Sequence, residues 1–286
     1  MATLYIVSTP IGNLGDLSPR AREVLRGVSR ILAEDTRRTR VLTDHAGATV
    51  PLVSLHEHNE ASRTAKVLEW LGAGEDLALV SDAGTPLVSD PGARLVDAVA
   101  EAGHPVVPIP GPSAVLAALV GSGLATDRFA FLGFPERKGK ARRGLLERVA
   151  GSAETCVLFE SPQRAVRLLE ELGEVCGPSR RVAVARELTK IHEEFFRGTL
   201  SDAARHYGDH PPRGEVTVVV APRSAEDDPE GTDPATGEAE ARELAGRLLA
   251  GGGRPSAVTR EVASAMGMPR NAVYRIVQDL RNQRGT

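Results

Sequence analysis

Val80-Ser81-Asp82-Ala83-Gly84-Thr85-Pro86-Leu87-Val88-Ser89-Asp90-Pro91-Gly92 ends an apolar run that begins at Leu77. Four apolar residues followed at once by small, polar and turn-forming ones read as a buried parallel strand emptying into a loop built for backbone contact. Gly84 permits a close approach or a positive φ, and Pro86 and Pro91 stiffen the loop. Asp82, Thr85, Ser89 and Asp90 bring carboxylates and hydroxyls without bulk. In an open α/β sheet, ligands bind beyond the carboxyl ends of the strands, so this loop is the first candidate for a ligand site.

Two further loops share its character. Leu4-Tyr5-Ile6-Val7 breaks at Ser8-Thr9-Pro10-Ile11-Gly12-Asn13-Leu14-Gly15-Asp16, and the run from Val106 to Ile109 breaks at Pro110-Gly111-Pro112-Ser113-Ala114. Strand-like runs at Leu4–Val7, 31–33, Leu77–Val80 and Val106–Ile109 alternate with helix-like segments at 19–28, 62–71 and 93–102. This βαβ rhythm predicts a mostly parallel sheet whose three small-residue loops share one crevice. A second sheet is expected from runs at 129–134, 155–159, 181–185, 194–197 and 215–220, the last three without long helices between all of them and therefore expected to pair antiparallel. The predicted boundaries are 1–125 and 126–222 for two α/β domains, 223–243 for an acidic linker and 244–286 for a helical extension. In that extension residues 260–277 read as helix, Gly-centred turn, helix, with Arg270, Asn271, Tyr274 and Arg275 at the start of the second helix. That is the helix-turn-helix pattern, whose second helix contacts phosphates and bases; a small packing appendage fits it equally.

Bulk properties narrow the class. A chain of 286 residues has ample length for buried cores, and a net charge of −3 excludes a generally basic, histone-like protein without excluding a local nucleic-acid surface. Two cysteines, Cys156 and Cys176, have no metal spacing and suit a reducing cytoplasm. Neither a membrane-length apolar run nor a leader-like N-terminus is present, so a cytoplasmic location with no membrane partner is expected.

Charge is concentrated in places. Arg137, Lys138, Lys140, Arg142, Arg143 and Arg148 face only Glu147 in between, and this cluster reads as an exposed mobile loop suited to an RNA backbone. Glu34-Asp35-Thr36-Arg37-Arg38-Thr39-Arg40 follows a short strand, where Arg37 and Arg38 can take phosphate while the carboxylates orient them or cap the next helix. His56-Glu57-His58 lacks the i, i+4 histidine spacing of a zinc protease, so substrate hydrogen bonding is preferred there to a metal, and no metal site is assigned. GxSxG, P-loop and GxGxxG motifs are all missing, which leaves phosphoryl transfer and nicotinamide chemistry unsupported.

Taken in order, Thr9-Pro10-Ile11-Gly12-Asn13-Leu14-Gly15-Asp16, Glu34-Asp35-Thr36-Arg37, the 81–92 loop, Pro110-Gly111-Pro112-Ser113-Ala114, Phe159-Glu160-Ser161-Pro162-Gln163-Arg164 and Arg186-Glu187-Leu188-Thr189-Lys190 closely resemble bacterial small-subunit ribosomal RNA cytidine 2′-O-methyltransferases. These belong to the tetrapyrrole (corrin/porphyrin) methylase superfamily, and the likeness covers essentially the whole chain. It implies two α/β domains of that type with S-adenosylmethionine in the cleft between them, plus a small helical C-terminal extension. It also implies a homodimer and, as substrate, 16S ribosomal RNA or the small subunit in its decoding region. By resemblance the cofactor contacts fall on Pro10, Ala83, Gly84, Thr85, Val88, Ser113, Ala114, Glu160 and Leu188, with Glu215 and Thr217 on the last strand. A ribose hydroxyl needs deprotonation or strong polarisation, and His56, Glu57, Asp82 and Lys190 are all chemically eligible. Methylation of a small tetrapyrrole, or a non-catalytic ribosome-binding role, are the alternatives. The first would need an acid-recognising cleft and no basic loop.

Overall fold

The computed structural model describes residues 1–56, 58–224, 234–251, 253–266, 268 and 270–284. They form two compact units, Met1–Arg223 and Ser224–Thr286.

In the first unit, β1 (Leu4–Val7), β2 (Arg30–Ala33), β3 (Leu52–Ser54), β4 (Leu77–Val80) and β5 (Val106–Ile109) make an all-parallel sheet in the order β3-β2-β4-β1-β5. Its strands are apolar at successive positions because both faces are covered. Ala78 and Val80 of β4 pack with Ala21 and Leu25 of α1 (Pro19–Gly27) and Leu42 and Ala46 of α2 (Thr36–Ala46). Leu77 and Leu79 face Val67 and Leu71 of α3 (Glu60–Gly72) and Leu95 and Val99 of α4 (Ala93–Glu101). Helix starts follow local chemistry: the Ser18 hydroxyl accepts from the Ala21 amide ahead of Pro19, and the Asp35 carboxylate accepts from Arg37 N–H.

β1 lies between β4 and β5, so the loops that leave these three strands meet at one edge of the sheet. After β5 comes α5 (Ala114–Gly121), which turns its Val115, Ala118 and Leu119 onto the second sheet, against Val157, Ala183, Ala185 and Val219. This helix joins the two sheets into one body, just before the boundary expected at residue 125.

The second sheet has the order β6-β7-β10-β8-β9, from β6 (Phe129–Phe131), β7 (Thr155–Glu160), β8 (Arg181–Arg186), β9 (Glu194–Thr199) and β10 (Val216–Val220). β6 and β7 are parallel and every other pair is antiparallel. Its outer face carries α6 (Lys140–Ala150), α7 (Pro162–Cys176) and α8 (Leu200–Asp209) over a core that includes Leu158, Val184, Val218, Leu168 and Leu200.

Two local expectations are corrected. Residues 140–150 are not a mobile loop but helix α6, because Leu146 and Val149 anchor it to the core beside α7. The stretch 223–243 is not linker throughout: α9 (Pro234–Ala250) starts inside it, and its Ala241 and Ala245, at i, i+4 spacing, are fully buried. With α10 (Pro255–Ala265) and α11 (Arg270–Arg284) it forms the second unit, whose core adds Val258, Val262, Val273, Ile276 and Val277. No helix among the described residues is long and apolar enough to cross a membrane.

Candidate functional site

The three loops interlock through backbone. Thr9 and Gly84 exchange both main-chain hydrogen bonds, 2.8 Å from the Thr9 amide and 3.1 Å from the Gly84 amide. The Thr85 hydroxyl donates to the Pro112 carbonyl (3.2 Å), and the Ser8 hydroxyl donates to Thr85 Oγ1 (3.2 Å). Gly84 has φ +79°, and a Cβ there would sit 3.3 Å from Ile11 Cγ2, so the residue is glycine for both conformation and space. Leu87 and Ser89 also have positive φ, +73° and +68°. Strain of this kind persists only where neighbours hold it. Here Leu87 is packed into the α3–α4 core, which carries the following residues back over the sheet edge.

Between these loops and the second sheet lies a cavity of about 380 Å³. Ile11, Asp82, Ala83, Gly84, Thr85, Val88, Ser89 and Asp90 form one wall, and Ser113, Ala114 and Val115 at the start of α5 form its floor. Phe134, Phe159, Glu160, Ser161, Pro162, Gly214, Glu215, Val216 and Thr217 form the other wall. Of the cofactor contacts expected from the sequence, Ala83, Gly84, Thr85, Val88, Ser113, Ala114, Glu160, Glu215 and Thr217 all line this space. Pro10 and Leu188 do not line it. Leu188 is buried in the cluster that also holds the lining residues Ile11 and Val115.

Glu160 is the buried charge of the site. Its side chain has no exposed surface; Oε1 accepts from the Ser161 amide (2.8 Å) and pairs with Arg164 (2.5 Å). Oε2 lies 3.7 Å from Arg142 Nη1 and makes no hydrogen bond within the protein, so this fully buried carboxylate oxygen is held by charge alone. Arg142 is thereby removed from the set of exposed RNA-binding cations. Its side chain is only 5% exposed, donates to Glu171 Oε2 (2.6 Å) and holds the Glu136 carbonyl (2.9 Å). Sequence spacing could not show that position 142 faces α7, while Arg137, Lys138, Lys140 and Arg143 remain exposed.

The opposite wall gathers carboxylates. Asp82 accepts from the Asp35 amide (3.0 Å) and pairs with Arg38 (3.3 Å), which also lines the cavity; Arg37 instead turns onto Asp35 (2.8 Å). That contact holds the Asp35 carboxyl well below its usual range. Burial pushes Asp90 up to about 6, helped by the charges of Glu34 and Asp82 and opposed by a hydrogen bond from Ser81. Burial and Asp82 likewise raise Glu34. Asp90 is not engaged in capping α4, whose first turn is served by the buried Glu60 carboxylate accepting from the Leu95 amide (3.2 Å). A carboxyl raised toward neutrality that also lines the cavity is chemically eligible as a proton acceptor. Asp90 stands in the loop first singled out, but burial, which sets its titration, is invisible in sequence.

The other candidates are placed differently. Lys190 donates to Glu187 (2.8 Å) and Glu215 (3.2 Å); burial acts to lower its titration, but these carboxylates outweigh it and hold it up. A lysine kept as ammonium does not accept protons. Lys190 is instead a clamp: its stem crosses Gly12, and Glu187 and Thr189 beside it have φ of +50° and +66°. His56 lies beyond β3 against Asn59 and outside the cavity lining, and Glu57 lies outside the described residues.

Residues 3–204 match the family of tetrapyrrole (corrin/porphyrin) methylases. A Synechocystis protein named ribosomal RNA small subunit methyltransferase I is 45% identical over 280 residues, 98% of this chain and 99% of its own. A Thermotoga maritima protein of the same name is 46% identical over 221 residues, 77% of this chain but 99% of its own. Among solved structures, a Thermus thermophilus uroporphyrin-III-C-methyltransferase superposes with a TM-score of 0.56 at 22% identity, covering 77% of this chain and 94% of that one.

Proposed function

The chain belongs to the tetrapyrrole (corrin/porphyrin) methylase family and is an S-adenosylmethionine-dependent methyltransferase, and from that premise we propose that it methylates the ribose 2′-oxygen of a cytidine in the decoding region of small-subunit ribosomal RNA. Support for the RNA substrate comes from the name carried by near-full-length relatives and from the charge at the cavity. Among the described residues that line the cavity the one cation, Arg38, is paired with Asp82, while Glu160 is paired with Arg164 and Glu215 with Lys190. Tetrapyrrole precursors carry several carboxylates, for which this lining holds no unpaired cation among the described residues. An RNA can keep its phosphates on the exposed cations of 137–143 and admit only a neutral ribose. This cavity without an unpaired lining cation among the described residues, beside a surface of exposed cations, is the observation that carries the reading.

The residues present suit the donor. A cavity of about 380 Å³ is of the size that holds a drug-like ligand. Gly84, without a Cβ, lets main chain come close. Ala83, Gly84, Thr85, Ser113 and Ala114 would hold the donor largely through backbone groups, and Glu160 and Thr217 would hold it from the second sheet. When bound, S-adenosylmethionine supplies a methyl group already activated on a sulfonium, so the protein's tasks are alignment, exclusion of water and handling of one proton. Ile11, Val88, Val115 and Phe159 dry the cavity. Asp90 takes the ribose hydroxyl proton on its carboxylate, Asp82 and Glu34 keep that carboxylate basic, and Arg38 fixes Asp82. The family also implies a homodimer working in the cytoplasm, where small subunits are assembled.

The test is transfer of labelled methyl from S-adenosylmethionine to small subunits lacking the modification, with the modified nucleoside identified by mass. Label on a cytidine ribose is expected. Label on a base, or none from a protein that binds S-adenosylmethionine, would overturn the acceptor assignment.

A further inference from the structure

Aromatic residues make up only 3% of this chain, yet three of its six phenylalanines cluster, two of them, Phe134 and Phe159, lining the cavity. Phe131 meets Phe159 edge-on at 4.9 Å between ring centres, and Phe159 in turn supports Phe134 at 5.3 Å with a tilt of 53°. The inner two rings are covered to a large extent, but Phe134 lines the cavity while 54% exposed. Leaving so much of a phenylalanine in water forgoes burial energy, roughly 25 cal/mol for each Å² exposed.

The backbone that carries Phe134 is held on every side. The Phe159 amide donates to the Gly133 carbonyl (2.9 Å), Pro135 is buried, and Arg142 grips the Glu136 carbonyl from beneath. Gly133 has φ +65°, and a Cβ on it would lie 3.5 Å from Ser89 Oγ, so the Phe134 turn rests against the loop that carries Asp90. Immediately after it come the exposed cations Arg137, Lys138, Lys140 and Arg143. An exposed, rigidly presented ring at a cavity that takes a ribose, followed by a run of cations, is the pairing by which proteins take unstacked nucleotides: ring on base, cation on phosphate.

We propose that Phe134 is a stacking platform for the base of the nucleotide whose ribose enters the cavity, with Arg137, Lys138, Lys140 and Arg143 taking the flanking phosphates. This rests on the RNA reading of the site and deepens it: the target nucleotide is unstacked from its neighbours and its base is held on the rim rather than within the pocket. Phe159 supports the platform from behind, and Arg142, through Glu136, sets its height as a positioning residue.

The experiment compares Phe134→Ala, Phe134→Leu and Phe134→Trp in the full-length protein. Affinity for a cytidine-containing single-stranded RNA is read by fluorescence anisotropy, S-adenosylmethionine affinity by calorimetry, and KM and kcat on unmodified small subunits. Base stacking on an aromatic ring implies a loss of RNA affinity of about 5- to 100-fold in the alanine variant. The leucine variant should share most of that loss, the tryptophan variant should recover it, and S-adenosylmethionine affinity should not move. A leucine variant as good as the native protein would show an apolar cover and overturn stacking. Weakened S-adenosylmethionine binding would make Phe134 a cofactor lid, and unchanged RNA affinity in the alanine variant would overturn the proposal outright. Native protein that binds the RNA through Phe134 yet labels no cytidine ribose would instead refute the reaction while leaving the platform standing.

Discussion

The wall of the cavity built by the parallel sheet and the wall built by the mixed sheet do comparable work by different means. The first presents main chain and small side chains from interlocked loops, with Gly84, Leu87 and Ser89 at positive φ. The second presents the long side chains of Glu215 and Phe134, held by Lys190 and Phe159, beside a buried Glu160 held by Arg164. A wall of backbone has no spare room and fails as a unit, whereas a wall of side chains fails in separable steps.

The comparison breaks most sharply at Gly84. Gly84→Val places a branched side chain at φ +79° and pushes on Ile11, so the exchange of hydrogen bonds with Thr9 cannot survive. Calorimetry should show S-adenosylmethionine binding reduced by more than about 100-fold, as expected where backbone approach sets the fit, while far-UV circular dichroism stays native. Native binding heats would mean that the first wall tolerates bulk as the second does.

Asp90→Asn tests the one acid that the first wall contributes to chemistry. Losing a general base should lower kcat by about 10²- to 10⁴-fold with S-adenosylmethionine affinity kept. The native pH–rate profile should have an acidic limb near 6 that the variant lacks. Stability supplies an independent check. The folded state raises this carboxyl from 3.8 to about 6, so the fold favours its protonated form, and stability declines as pH rises through that window. Asn, which never ionises, should therefore raise the melting temperature at pH 8 and leave it unchanged well below pH 4. A gain at both pH values, or at neither, would exclude Asp90 as a strained ionised acid.

On the second wall, Arg142→Met should act on stability before activity. It would leave Glu160 and Glu171 short of a buried cation, a loss on the order of 3 kcal/mol in denaturant unfolding. Replacing Lys138, Lys140 and Arg143 with Ala should do the reverse. Melting should be unaffected, and RNA affinity should fall with a salt dependence flattened by about 0.7 for each phosphate that is no longer neutralised. If Arg142→Met proved stable but flattened the salt dependence, position 142 would return to the RNA-facing set.

How far the two walls could be read from sequence follows from their construction. Backbone walls leave a record in residue types: Thr9-Pro10-Ile11-Gly12, the 81–92 loop and Pro110-Gly111-Pro112 mark the strand ends, and the order of apolar runs dictates the parallel sheet. β3 escaped because three half-buried edge residues carry no pattern. Side-chain walls depend on what lies across a gap. Nothing local separates the buried Arg142 from the exposed Arg143, ties Lys190 to Glu215 across 25 residues, or brings Glu34 close enough to Asp90 to shift it. α9 was hidden because acidic residues dominate the average composition while Ala241 and Ala245 keep a helical stripe.

The smallest expected effect concerns a region that belongs to neither wall. Among the described residues, those that line the cavity belong to Met1–Arg223, and Ser224–Thr286 has a core of its own. The Thermotoga maritima relative aligns over 99% of its length in 221 residues, nearly the length of the first unit, so a protein of that name does without a counterpart of the rest. A chain ending at Arg223 should therefore keep S-adenosylmethionine affinity within about twofold, which is a change below about 0.5 kcal/mol. Its RNA affinity should fall further, because residues from Leu244 onward carry seven arginines against two acids. Equal RNA affinity with and without the helices would reduce them to a packing appendage. A loss of S-adenosylmethionine affinity would show that the backbone wall, for all its interlocking, needs a third support.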